Sequence, residues 1–272
     1  MTVSYRVLGP LEVESSNQST RLGPRLRQLL VLLLAANGET LSTERLATDL
    51  WGDDQPLDPE GSLHTLVSRL RGVVGDDLVT KAPGYMLDVD PERLDAARFE
   101  QALATARSAP VDQAARLYRQ AESEWRGSAY LGYEDLARAE AIRLERLRDD
   151  CAQERLNRMI ENGAATSALP EIERLVTTHP LDEGPRSLMM RALDATCRKP
   201  DALRSFSEYE DFLAERTVLA VAADRGLAEV EVCVAPSNVA ARRLFSGLGA
   251  DFSLVDGVLV GTVPTRPAPK AA

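Results

Sequence analysis

Apolar positions along this chain switch between two periods, and the switches mark out its elements. Tyr5-Arg6-Val7-Leu8 and Leu11-Glu12-Val13 flank a Gly9-Pro10 break, which predicts a pair of strands followed by a polar turn from Ser15 to Ser19. The period then becomes helical. Leu26, Leu29, Leu30, Leu33 and Leu34 recur between Pro24, suited to a helix start, and Asn37-Gly38, suited to its end. Leu46, Leu50 and Trp51 predict a second helix, capped by Ser42 or Thr43 and closed by Gly52. A third helix is predicted over Pro59 to Arg71. Its Leu63, Leu66, Val67 and Leu70 fall at i, i+3, i+4 and i+7, leaving Ser62, Thr65, Ser68, Arg69 and Arg71 off the stripe. Leu78 to Val89 alternates in polarity about Pro83-Gly84, a hairpin that places Lys81 within reach of a phosphate. Strands, three helices and a hairpin are the order expected of a DNA-reading helix followed by a wing, and small polar residues with arginine are what a major groove accepts.

From Asp95 to about Glu215 the pattern is helical almost throughout. Ala168-Leu169-Pro170-Glu171-Ile172-Glu173-Arg174-Leu175 and Ala202-Leu203-Arg204-Ser205-Phe206-Ser207-Glu208-Tyr209 begin 34 residues apart, the period of tetratricopeptide-like helix pairs. His179-Pro180 separates the helices of the first unit. An earlier pair, Asp112 to Trp125 and Tyr133 to Asn162, fits the same style, and stacked pairs of this kind leave a surface for protein partners. After Glu215 the character changes. Val230 to Val234 alternates as a strand, Asn238 to Leu248 suggests a short helix, and Asp256-Gly257 divides two strand-like runs between Leu254 and Val263. A Pro/Ala tail follows from Thr265 to Ala272. The expected organisation is therefore a winged helix over 1–90, an all-α repeat domain over 91–215, a short α/β segment over 216–264 and a disordered tail over 265–272.

Charge changes this picture in one respect. The chain carries a net charge of −10, and residues 1–90 hold eight Lys and Arg against thirteen Asp and Glu. An acidic DNA-binding region relies on local clusters, Arg25/Arg27 and Arg69/Arg71/Lys81, so weak binding by one copy and cooperation on DNA are expected. Catalytic chemistry is not expected. No Walker-type GxxxxGK[ST] and no nucleophile–base–orienter set stands out, the acidic pairs Asp53-Asp54, Asp76-Asp77 and Asp149-Asp150 suit turns or solvent, and no cofactor or metal is implied. Cys151, Cys197 and Cys233 are far apart and without a CxxC, which predicts structural thiols. His64 is expected on a helix surface, Trp51 and Trp125 in the core, and Tyr85 packing the wing onto the helices. No apolar run approaches the roughly 18 residues of a membrane span. With no basic-then-apolar leader at the N-terminus, a cytoplasmic protein without a membrane partner is expected.

Residues 3 to about 215 resemble the actinobacterial antibiotic regulatory proteins, which join an OmpR-type winged helix to a bacterial transcriptional activator domain. Leu8-Gly9-Pro10-Leu11-Glu12-Val13, Gly23-Pro24-Arg25, Leu50-Trp51-Gly52-Asp53, Val67-Ser68-Arg69-Leu70-Arg71, Pro83-Gly84-Tyr85-Met86-Leu87, Leu94-Asp95-Ala96-Ala97-Arg98-Phe99-Glu100, Trp125-Arg126-Gly127 and Arg143 to Arg148 carry the likeness. The resemblance implies an activator of secondary-metabolite genes that binds direct repeats in double-stranded DNA, associates with itself there and engages RNA polymerase. It places Ser62, Thr65, Leu66, Ser68 and Arg69 in or beside the major groove, and Arg25, Arg71 and Lys81 at phosphates, where the local charge clusters add Arg27. Gly61 and His64 depart from the stronger helix formers or polar readers of relatives. A second departure follows Glu215: residues 217–250 resemble the second half of a GNAT-type N-acetyltransferase, in Val230 to Asn238, Ala241 to Phe245 and Leu248-Gly249-Ala250. Residues 205–216 hold no glycine for a pyrophosphate loop, and Phe245 stands where such enzymes often carry a tyrosine. The alternatives to a DNA-binding activator are a DNA-tethered or remnant acetyltransferase fusion, or an interaction module that has lost its DNA activity.

Overall fold

A computed structural model describes residues 3–15, 18–19, 21–209, 229–234, 251–255 and 258–264, which fall into two compact units, 1–162 and 163–272. The first begins with an antiparallel sheet of β1 (Val3–Arg6), β2 (Glu12–Ser15) and β3 (Gln18–Ser19) in that order, with Tyr5 opposite Val13. β3 is a strand where the sequence suggested only a turn, because Gln18 and Ser19 pair with Ser15 and Glu14.

α1 (Pro24–Ala35) starts at a proline, where the missing N–H removes nothing from the helix, and ends at Asn37 and Gly38, both at positive φ. Leu29 to Leu34 are all buried, so α1 is enclosed and not merely amphipathic; each of these side chains contributes on the order of 2 kcal/mol of hydrophobic stabilisation. α2 (Thr43–Trp51) is capped by the Ser42 hydroxyl, which accepts from the Arg45 N–H at 3.1 Å. α3 (Pro59–Val74) buries Leu63, Val67, Leu70 and Val74 on one stripe. Beyond it, β5 (Leu78–Lys81) and β6 (Gly84–Leu87) form the wing hairpin, and β4 (Leu41–Ser42) extends the sheet in the order β4-β6-β5. Gly84 is required where it stands: a Cβ there would overlap the Leu41 carbonyl of the paired strand.

The helices α4 (Asp95–Ser108), α5 (Val111–Glu122) and α6 (Arg138–Glu161) belong to the same compact unit as the winged helix. Their attachment is a backbone seam. The carbonyls of Val7, Leu8 and Gly9 accept from the N–H groups of Tyr130, Arg126 and Leu131 at 2.7, 2.7 and 3.1 Å. Residues predicted to be helical up to Trp125 and again from Tyr133 are partly irregular: α5 stops at Glu122 and α6 starts at Arg138, and the loop between them donates its Arg126, Tyr130 and Leu131 N–H groups to residues 7–9. Gly9, at φ +148°, permits the approach, and its missing Cβ would lie 3.1 Å from the Arg126 Cβ.

The second unit contains α7 (Ala165–Thr178), α8 (Glu183–Ala195) and helical residues 199–209. α7 and the last of these hold the two copies of the 34-residue repeat, and the Tyr209 hydroxyl donates to the Leu181 carbonyl at 3.1 Å. The strands β7 (Glu229–Val234), β8 (Phe252–Val255) and β9 (Val258–Pro264) form an antiparallel sheet in the order β7-β9-β8. The helix expected over 238–248 and the tail over 265–272 lie outside the described residues. Among the described residues, no helix is long and apolar enough to cross a membrane.

Candidate nucleic-acid interface

α3 begins with Asp58, whose carboxylate accepts from the Gly61 N–H at 2.9 Å. That cap explains the glycine: a Cβ at Gly61 would displace the Asp58 carboxylate from its position. With Leu63, Val67 and Leu70 turned inward, His64, Thr65, Ser68 and Arg69 are left exposed on the opposite side. Thr65 donates its hydroxyl proton to the Gly61 carbonyl at 3.0 Å, so what it presents outward is an acceptor oxygen and a methyl group. Ser62 is half-buried. Leu66 is half-buried as well and packs against the core.

The cations divide in the same way. Arg69 and Lys81 are exposed and make no hydrogen bond or ion pair among the described residues, and Arg27 is half-buried. Arg25 is exposed but directed: its Nη1 donates to the Leu50 carbonyl at 2.6 Å and to the Gln28 Oε1 at 3.0 Å, tying α1 to the C-terminal end of α2. Arg71, grouped with Lys81 as a phosphate contact, donates to the Leu78 carbonyl and, at 2.9 Å, to the Thr80 hydroxyl. His64 meets Tyr85 edge-on with ring centroids 6.4 Å apart, and Tyr85 is buried between helix and wing, as its position in the hairpin predicts.

The same compact unit holds groups that local spacing did not reveal. Asp77, expected to be a solvated turn residue, accepts from the Tyr5 hydroxyl at 2.7 Å and from two Arg93 nitrogens at 2.8 and 2.7 Å. Burial, with Asp77 beside it, pushes the Tyr5 phenol far above its ordinary range. Asp95 is buried and accepts from the N–H groups of Val7 and Leu8, with Arg126 at 3.4 Å. Burial raises its carboxyl above the usual range against the pull of those donors. Trp125 stacks edge-on with Phe99 at 5.4 Å and lies under the Arg148 guanidinium at 4.6 Å. Among the described residues, no three His, Cys, Asp or Glu side chains are grouped to hold a metal ion.

Residues 94–231 match the bacterial transcriptional activator domain family, and residues 17–88 match the family described as transcriptional regulatory protein, C terminal. The first match continues beyond residue 215, into the segment whose sequence character differs. The chain is 31% identical over 221 residues to the regulatory protein AfsR of Streptomyces griseus, across 78% of this chain and 22% of that protein. It is 30% identical over 223 residues to the regulatory protein DnrI of Streptomyces peucetius, across 75% of this chain and 82% of that protein. The structure of Mycobacterium tuberculosis EmbR in complex with a low affinity phosphopeptide superposes with a TM-score of 0.71 at 25% identity, over 78% of this chain and 60% of that one.

Proposed function

This chain belongs to the antibiotic regulatory protein family, an OmpR-type winged helix followed by a bacterial transcriptional activator domain, and from that premise we propose that it is a sequence-specific activator of secondary-metabolite genes. The observation that carries the reading is the outward face of α3, where Thr65, Ser68 and Arg69 stand beside a wing bearing Lys81, both cations exposed and unpaired among the described residues. Ser62 lies at its margin. Arg69 and Lys81, with Arg25 and Arg27 from α1, supply positive charge to an otherwise acidic region. Few free cations give a weak monomer–DNA contact, so specificity and affinity come from copies bound side by side on direct repeats. Repeats separated by about one helical turn, roughly 10 to 11 bp, put successive copies on one face of the duplex. The helical repeats then face RNA polymerase as a protein-binding surface. The reading assigns no catalytic step, and it places the protein with the chromosome in the cytoplasm.

In vitro transcription from a promoter with two repeats tests this. Activation at a spacing of about 11 bp, lost when roughly half a turn is inserted and restored by a full turn, is the expected result. Activation that ignores the spacing removes the side-by-side arrangement.

A further inference from the structure

The wing is anchored differently along its two edges. On the inner edge β6 pairs with β4, Leu41 opposite Tyr85 and Ser42 opposite Gly84, and the Pro83 carbonyl at the tip accepts from both the N–H and the hydroxyl of Thr43, each at 3.3 Å. The outer strand β5 has β6 as its only strand partner among the described residues. Its polar tie to α3 is Arg71. From the last turn of that helix, Nε and Nη2 converge on the Leu78 carbonyl at 3.4 and 3.3 Å, and Nη2 also donates to the Thr80 hydroxyl at 2.9 Å. The edge of the guanidinium that carries these donors is thus turned toward the wing, and Lys81 is the next residue along the strand.

Given the reading of α3 and the wing as DNA-binding elements, we propose that Arg71 is a positioning residue: it holds β5 so that Lys81 meets a phosphate, and it makes no independent phosphate contact of its own. A planar fork suits the task, since it spans a carbonyl and a hydroxyl two residues apart. A lysine ammonium keeps the charge but not that geometry. Thr80→Val removes the hydroxyl while leaving both cations in place.

The test is a double-mutant cycle on affinity for a random-sequence duplex across a salt series, with far-UV circular dichroism and thermal melting confirming the fold of each variant. Lys81→Ala is expected to weaken binding about tenfold and to reduce the salt slope by about 0.9. In the Arg71→Ala background the same change is expected to cost less than about twofold, because the lysine is no longer held in place. Arg71→Lys does not restore wild-type affinity, and Thr80→Val weakens binding with no loss of charge. Equal cost of Lys81→Ala in both backgrounds, or full rescue by Arg71→Lys, overturns the proposal and returns Arg71 to the phosphates. A folded wild-type protein that binds no duplex at any salt overturns the DNA reading itself, whereas binding with additive variants overturns only the role given to Arg71.

Discussion

The Asp95 carboxylate accepts the backbone N–H of Val7 at 2.8 Å, across 88 residues of chain, and the same group takes the N–H of Leu8 at 3.1 Å. One buried side chain thereby satisfies two strand-end donors and fixes α4 to β1. Removing it leaves both N–H groups buried without an acceptor. Asp95→Ala is expected to destabilise the folded 1–162 unit by on the order of 3 kcal/mol, measured by urea denaturation. A loss within 0.5 kcal/mol, about that of an ordinary surface substitution, contradicts this role.

The pH dependence of that contact has a definite sign. Burial raises the folded-state carboxyl of Asp95 above its unfolded value, so the folded form binds more protons between the two. The stability tied to this group is fully present below the unfolded carboxyl range and is lost as pH rises through the raised folded value. The gap between wild type and Asp95→Asn is therefore expected to be widest at about pH 3, below the unfolded carboxyl range, and to narrow toward neutrality. Denaturation at both pH values checks it, and a gap that widens with pH reverses the assignment.

Gly9 makes the seam possible, and its replacement should loosen it. A Cβ there meets Arg126 Cβ at 3.1 Å and the Gly127 nitrogen at 3.3 Å, on a backbone with φ +148°. Gly9→Ala is expected to cost about 1–3 kcal/mol. Hydrogen exchange should report it at the N–H groups of Arg126 and Tyr130, which lose protection before the rest of the unit. Unchanged protection there sinks the account of the seam.

Thr65 should discriminate bases without adding much to nonspecific binding. Its hydroxyl proton is held by the Gly61 carbonyl, so Thr65→Ala removes a methyl and an acceptor but no cation. Relaxed preference at one base pair, by roughly 1–3 kcal/mol, with an unchanged salt slope is expected when half-site variants are compared. Arg69→Ala, by contrast, removes an exposed cation and should lower the slope. An equal loss for Thr65→Ala on every sequence contradicts a reading role.

The thiols should differ sharply in reactivity. Cys151 is buried, with its sulfur 3.7 Å from the Tyr118 carbonyl, and burial pushes its thiol up to about 12. Cys197 is exposed. Alkylation followed by mass spectrometry should label Cys197 in the native protein and Cys151 only on unfolding; native labelling of Cys151 at a similar rate rules out its burial.

The elements with strong local signals could be read from the sequence. Pro24 and Asn37-Gly38 bracket α1, Ser42 caps α2, and the Leu63/Val67/Leu70 stripe predicts which side of α3 turns inward. The family could be read from motifs for the same reason. What escaped depends on partners distant in the chain. Tyr5 and Asp77 are 72 residues apart, and nothing in the Asp76-Asp77 spacing distinguishes a solvated turn from the centre of a hydrogen-bond network. Arg71 is seven residues from Leu78, and its tie to the wing depends on how α3 and β5 turn toward each other. The late start of α6 is of the same kind: residues from Tyr133 read as helical, but the chain leading into them is held at Tyr130 and Leu131 by hydrogen bonds to Val7 and Gly9.

Footprinting of the purified protein on promoter DNA, with random competitor and across a salt series, tests the central claim most directly. Protection of evenly spaced repeats, appearing together over a narrow range of protein concentration and lost on Arg69→Ala, is the predicted result. No protection at any salt by a demonstrably folded protein contradicts it, and turns the exposed face of α3 into an ordinary solvated helix surface.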